Sequence, residues 1–167
     1  PGLNRLLPDD IAVLSATDVE NDFHARYNAK GKKYVYVIDN GVVADPLLSR
    51  FALHVKTPLD VEKMNALCGA LVGTHDFKSF SSSKRTVTDT VRTISECNVQ
   101  KKDNLVILSV TGNGFLYNMV RIIVGTAIDA SNGKLNENDF ENLFDMERDD
   151  IGMTVAAKGL FLDKVIY

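Results

Sequence analysis

The chain has 167 residues, 45% of them hydrophobic and 25% charged, enough for one domain with a real core. No run is long enough to span a membrane, there is no signal-peptide pattern, and a formal net charge of −3 is no general advertisement for nucleic acid. The charge is unevenly placed, however. Residues 21–92 hold eleven Lys/Arg against seven Asp/Glu, and residues 129–150 hold eight acids against two bases, so one part of the surface can be basic while another is acidic. Cys68 and Cys97 stand apart without metal-ligand spacing, which suits a reduced intracellular compartment and leaves one disulfide open. The chain starts Pro1-Gly2 without Met, as expected of a fragment or a processed product.

In chain order, Pro8-Asp9-Asp10 reads as a turn and Ile11–Ala16 as a strand. Residues 19–28 read as a turn leading into an extended segment. Lys33–Ile38 alternates, is rich in β-formers and stops at Asp39-Asn40-Gly41, a strong turn signal. Residues 50–56 are a further candidate strand. Asp60 is a candidate N-cap for a helix with Val61, Met64, Leu67, Cys68, Leu71 and Val72 at helical spacing, ended by Gly73. Residues 75–92 read as a loop. Residues 90–100 and 104–111 read as an antiparallel hairpin. A helix is expected over 117–130, a short amphipathic helix over 138–146 and a last strand over 159–167. Strand groups interrupted by helices imply an α+β fold, with a largely antiparallel sheet and helices packed on one face.

One residue conflicts with its surroundings. The helix over 117–130 is apolar on nearly every side, which is the pattern of a buried helix, yet Arg121 sits in its middle. A buried guanidinium requires a partner, and the residues one turn away (Tyr117, Asn118, Val124 and Gly125) include no acid. Either an acid or phosphate from elsewhere meets it, or Arg121 reaches the surface from a half-buried helix.

Three other groups of residues carry chemistry. Phe23-His24-Ala25-Arg26-Tyr27 followed by Lys30-Gly31-Lys32-Lys33-Tyr34-Val35-Tyr36 interleaves bases with aromatics. That suits RNA, since cations meet phosphates and rings stack on unpaired bases; the plainer reading is a strand with a core Tyr face and solvated Lys. His24, His54 and His75, with Asp22 and Asp76 close by, show no zincin spacing, and a metal or hydrolase reading needs these ligands to converge. The polar stretch over 79–92 has neither a nucleophile elbow nor a P-loop, but Lys84, Arg85 and Arg92 are candidate phosphate ligands.

Several of these segments, in order, resemble the tRNA pseudouridine synthase A family. They are Leu7-Pro8-Asp9-Asp10-Ile11-Ala12-Val13, Asp22–Tyr27 with Lys33–Tyr36, and Leu71–Phe80, followed by Arg92-Thr93-Ile94, the Gly112–Gly125 string around Arg121, and Gly159–Leu162 with Val165-Ile166-Tyr167. The resemblance implies a pseudouridine-synthase-like fold and isomerisation of uridine to pseudouridine in the tRNA anticodon stem-loop. It implies a cytoplasmic homodimer that uses no cofactor and no metal. By resemblance Tyr34 is the active-site tyrosine against the target base, and Arg121 pairs with the nucleophilic Asp. Residues Phe23, His24, Arg26, Lys32, Lys33, Lys84, Arg85 and Arg92 then join Tyr34 in holding RNA. The family's nucleophile lies in a Gly-Arg-Thr-Asp-Ala-Gly turn that these 167 residues lack. Arg85-Thr86-Val87-Thr88-Asp89 echoes it only superficially, so Asp89 is not assigned that role. The expectation is a single C-terminal catalytic and RNA-binding domain over 1–167, inactive by itself; the alternatives are a non-catalytic RNA-binding module and a histidine-based hydrolase or metal enzyme.

Overall fold

The computed structural model describes residues 2–82 and 88–167. Its frame is a six-stranded sheet: β1 (Gly31–Asp39), β2 (Leu53–His54), β3 (Gly73–Asp76), β4 (Val91–Lys102), β5 (Leu105–Gly112) and β6 (Leu160–Ile166). The order is β2-β1-β5-β4-β3, and β6 shares the outer edge of β1 with β2. β6 covers Gly31–Tyr36 and β2 covers Ile38–Asp39. All pairings are antiparallel except β1 with β2. This is the expected α+β class.

The sheet has two unlike faces because strand side chains alternate. On β5, Val106, Leu108 and Val110 are fully buried, whereas Leu105, Ile107, Ser109 and Thr111 are only partly covered. Tyr36 and Ile38 of β1 and Ile94 and Val99 of β4 join the buried side. Helix α1 (Val61–Leu71) and helix α2 (Met119–Ser131) supply the other half of this core. Asp60 caps α1 as expected, its carboxylate accepting from the Glu62 and Lys63 amides at 3.1 Å. Met64, Leu67, Cys68 and Leu71 point inward, but Val72 is already past the helix and exposed. The Asp60 amide in turn donates to Ser131 Oγ at 2.7 Å, tying the start of α1 to the end of α2. The two cysteines, far apart in sequence, meet where α1 crosses β4, as free thiols with sulfurs 3.0 Å apart.

Several sequence expectations give way. Residues 11–16 form no strand and are exposed: a strand needs a pairing partner, and this stretch is held instead by local bonds, from the Ile11 amide to the Pro8 carbonyl and from Asn4 to both polar groups of Val13. His75 and Asp76, read as the start of a loop, instead complete β3 with Gly73 and Thr74, because β4 offers this segment a free edge. Its turn is closed by the Asp76 carboxylate, which accepts from the Lys78 amide and the Thr90 hydroxyl. The short helix α3 spans Glu137–Phe140 only, and turns follow it, although Phe140 and Leu143 still reach the core. Helix α2 starts two residues later than expected, after Asn118 at φ 63°, a left-handed conformation that asparagine tolerates.

Candidate active site

A small cleft of about 140 Å³ opens where β1, β6 and the start of α2 meet. Tyr34, Phe115, Asn118, Arg121 and Leu160 are among its walls. Tyr34 sits on the helix-side face of β1, one alternation before Tyr36. Tyr36 is fully buried and Tyr34 only partly so. The difference is one of position: Tyr36 lies under α2 and the 151–160 segment, while Tyr34 meets the rim. Phe115 packs edge-on against it with centroids 5.2 Å apart and planes at 89°, a favourable aromatic geometry. Tyr34 and Arg121 come from unrelated segments and converge on this one concavity.

Arg121 is half-buried and bound to neutral acceptors. Its Nε donates to the Val155 carbonyl at 2.6 Å and its Nη1 to Asn118 Oδ1 at 3.1 Å. Asn118 is itself held by Ser82, whose Oγ accepts from Asn118 Nδ2 at 3.0 Å. Among the described residues no carboxylate lies within ion-pairing distance of Arg121, and none of the hydrogen bonds there involves its Nη2. The guanidinium charge is felt by Tyr36. Burial raises the Tyr36 phenol to about 12, with Arg121 pulling in the opposite direction, and the phenol donates to the Ala156 carbonyl.

The other sequence candidates divide by position. Phe23 packs on Tyr167 at 5.1 Å, and Tyr167 donates through its hydroxyl to the Ala25 carbonyl. His24 accepts at Nδ1 from the Arg26 and Tyr27 amides, so the His24–Arg26 turn is exposed but ordered by its own imidazole. The Lys30 amide bonds the Ile166 carbonyl, leading this turn into β1. Lys32 lies on the Tyr34 face, opposite Gly112. Arg92 packs beside Gly114, in the loop that delivers Phe115 to the cleft, with Asp89 3.8 Å from its Nη1. Lys33 is on the opposite sheet face, 3.4 Å from Asp163. Lys84 and Arg85 lie outside the described residues.

The histidines sit in three separate settings. His24 orders its own turn, His54 Nε2 meets the Gly41 carbonyl at 2.9 Å, and His75 stacks on Phe144 at 4.1 Å and 7°. Among the described residues no group of three His, Cys, Asp or Glu is placed to hold a metal ion. No helix there is long and apolar enough to cross a membrane.

Sequence reasoning missed Asn118, Leu160 and the Val155 carbonyl as parts of the Arg121 environment. Asn118 was in view one turn from Arg121, but a search for an acid passes over a neutral amide. A backbone carbonyl leaves no mark in a sequence.

The family described as tRNA pseudouridine synthase matches residues 67–167. Over 99% of this chain and 68% of the relative's length, the chain is 42% identical to the tRNA pseudouridine synthase A of Thermoanaerobacter sp. (strain X514). The identity is 46% to the protein of that name from Brevibacillus brevis and 44% to that from Clostridium botulinum, over the same shares. The chain belongs to the tRNA pseudouridine synthase family.

Proposed function

We propose that these 167 residues are one catalytic and RNA-binding unit, the C-terminal portion of a synthase that isomerises uridine to pseudouridine in the anticodon stem-loop of tRNA. The observation that carries this reading is the convergence of Tyr34 and Arg121 on one cleft. A target uridine must leave its stack to be reached. Tyr34, braced by Phe115, offers a ring against the extruded base and a phenol for the proton step at C5. Arg121 meets the nucleophilic Asp and keeps it ionised, since a nearby cation lowers a carboxylate pKa. The Asp supports cleavage of the C1′–N1 bond, the base turns, and it is re-attached through C5. That carboxylate comes from a segment outside these 167 residues, and the working enzyme is a cytoplasmic homodimer. Arg26, Lys32 and Arg92, with Phe23 and His24, contact the RNA beside the cleft; Lys33, Lys84 and Arg85 extend the phosphate contacts.

The test maps pseudouridine in unmodified tRNA. A polypeptide that joins these residues to the nucleophile-bearing turn is expected to form pseudouridine, and its Tyr34→Phe and Arg121→Met variants to lose that activity while still binding tRNA. The 167 residues alone are expected to form none. Full activity of both variants would remove Tyr34 and Arg121 from the chemistry. Turnover by the 167-residue chain itself would show that the nucleophile lies within it. Binding of tRNA without pseudouridine formation by the joined polypeptide would favour the RNA-binding module.

A further inference from the structure

We infer that Arg148 is a positioning residue for Arg121, acting through the backbone segment 151–156 and making no contact with the cleft. The inference rests on the role proposed for Arg121. Residues 152–156 form neither helix nor strand, so their polar backbone groups need partners other than a regular ladder. Arg148 binds the start of the segment. Its Nη1 donates to the carbonyls of Ile151 at 3.2 Å and Gly152 at 3.1 Å, and its Nη2 donates to Thr154 Oγ1 at 3.1 Å. Among the described residues no carboxylate lies within ion-pairing distance of Arg148. The fork is therefore spent on shaping the chain.

The shaped segment then crosses α2 backbone against backbone. A Cβ on Gly125 would fall 1.9 Å from the Met153 carbonyl oxygen, and one on Gly152 would fall 2.2 Å from the Thr126 nitrogen. Two glycines allow this backbone-on-backbone contact, and Ile151 and Val155 are buried on either side of it. Two residues beyond Met153, the Val155 carbonyl accepts from Arg121 Nε at 2.6 Å. Tyr36 holds the next carbonyl, that of Ala156. The guanidinium is planar with its donors in a rigid fork. Fixing Nε on Val155 and Nη1 on Asn118 therefore fixes its plane and the direction of Nη2. Arg148 thus sets where the Val155 carbonyl lies, and that carbonyl sets how Arg121 faces an incoming carboxylate.

The first experiment reads the link without any chemistry. In the 167-residue chain, NMR follows exchange of the Arg121 Nε proton, with the amides of β1 and β5 as internal controls. Arg148→Lys retains the charge and loses the fork, and is expected to speed exchange of that proton by about tenfold or more while the sheet amides keep their protection. Thr154→Val, which removes one acceptor, is expected to act in the same direction and serves if Arg148→Lys fails to fold. An unchanged Arg121 proton in a folded variant overturns the inference. The second experiment uses the polypeptide that also carries the nucleophile-bearing turn. Arg148→Lys is expected to lower kcat by about tenfold, as misplacement at a reacting group does, with KM for tRNA unchanged. The acid limb of the kcat–pH profile moves upward, because a misdirected Arg121 lowers the Asp pKa less. In an Arg121→Lys background, Arg148→Lys should add little further loss. Multiplicative losses overturn the inference. If Arg121→Lys leaves kcat intact, the site reading fails instead, and the exchange data still decide whether Arg148 positions Arg121.

Discussion

Replacing Arg121 by Met in the 167-residue chain separates two views of the same residue. From sequence, Arg121 is a cation awaiting an acid, and its removal relieves an unpaired buried charge. The structure gives it neutral partners instead, Val155 O at 2.6 Å and Asn118 Oδ1 at 3.1 Å. Losing the short charge-assisted bond to Val155 costs about 1.5–3 kcal/mol. Asn118 keeps its bond to Ser82 and lies at the partly exposed rim, where water replaces the second bond at little cost. Met then buries extra apolar surface and removes the cost of a half-desolvated cation, an offset of about 1 kcal/mol. The net expectation is a destabilisation of about 1–2 kcal/mol, which for a chain of this size lowers Tm by about 3–6 °C. Urea unfolding by circular dichroism measures it, with an unchanged m-value as the check that both chains unfold alike. A loss above about 4 kcal/mol would match a broken buried ion pair and show that an acid inside this chain is the true partner. A gain in stability would show that the Val155 bond contributes nothing and that the charge was unpaired.

Asp39 gives a pH-dependent effect. Its carboxylate accepts from the Asp45 amide at 2.8 Å and the Gly41 amide at 3.0 Å, and these bonds, led by Asp45, hold its pKa below the usual aspartate value against the effect of burial. A group whose folded pKa is depressed stabilises fully above its unfolded pKa, about 3.9, and loses that contribution as pH falls through the folded value. Asp39→Asn should therefore destabilise at pH 7 by about 1–3 kcal/mol, with the gap to the parent closing below about pH 4 in parallel urea titrations. Asp60→Ala should cost about 1 kcal/mol by removing the α1 cap, read in the same assay; a null result would assign the helix start to the Ser131 contact alone. Binding of tRNA to the chain should weaken steeply between 50 and 200 mM salt in filter-binding titrations, since phosphate contacts release counterions. Salt-independent binding would contradict the assignment of Arg26, Lys32 and Arg92 to phosphates.

Sequence by itself determined the elements whose signals are local and strong. Lys33–Ile38 alternates between β-formers and ends in Asp-Asn-Gly, so β1 was legible. Asp60 before a helical stripe fixed α1, and an all-round apolar run fixed α2 and its burial. The motif string around Arg121 with the Tyr34 segment pointed to the family that the comparisons then showed. Tertiary structure alone decided everything that depends on a distant partner. Ile11–Ala16 has strand composition and pairs with no strand among the described residues, whereas Gly73–Asp76 has poor composition and pairs because β4 lies open beside it. The same reason governs the site. That Tyr34 faces a cleft while Tyr36 is sealed follows from where the 151–160 segment crosses β1, and that path is open because Gly152 packs directly on the α2 backbone at Gly125. The hydrogen bond that aims Arg121 ends on a backbone carbonyl, a group every residue carries, so no choice of side chain announces it; only the folded path of the chain puts it there.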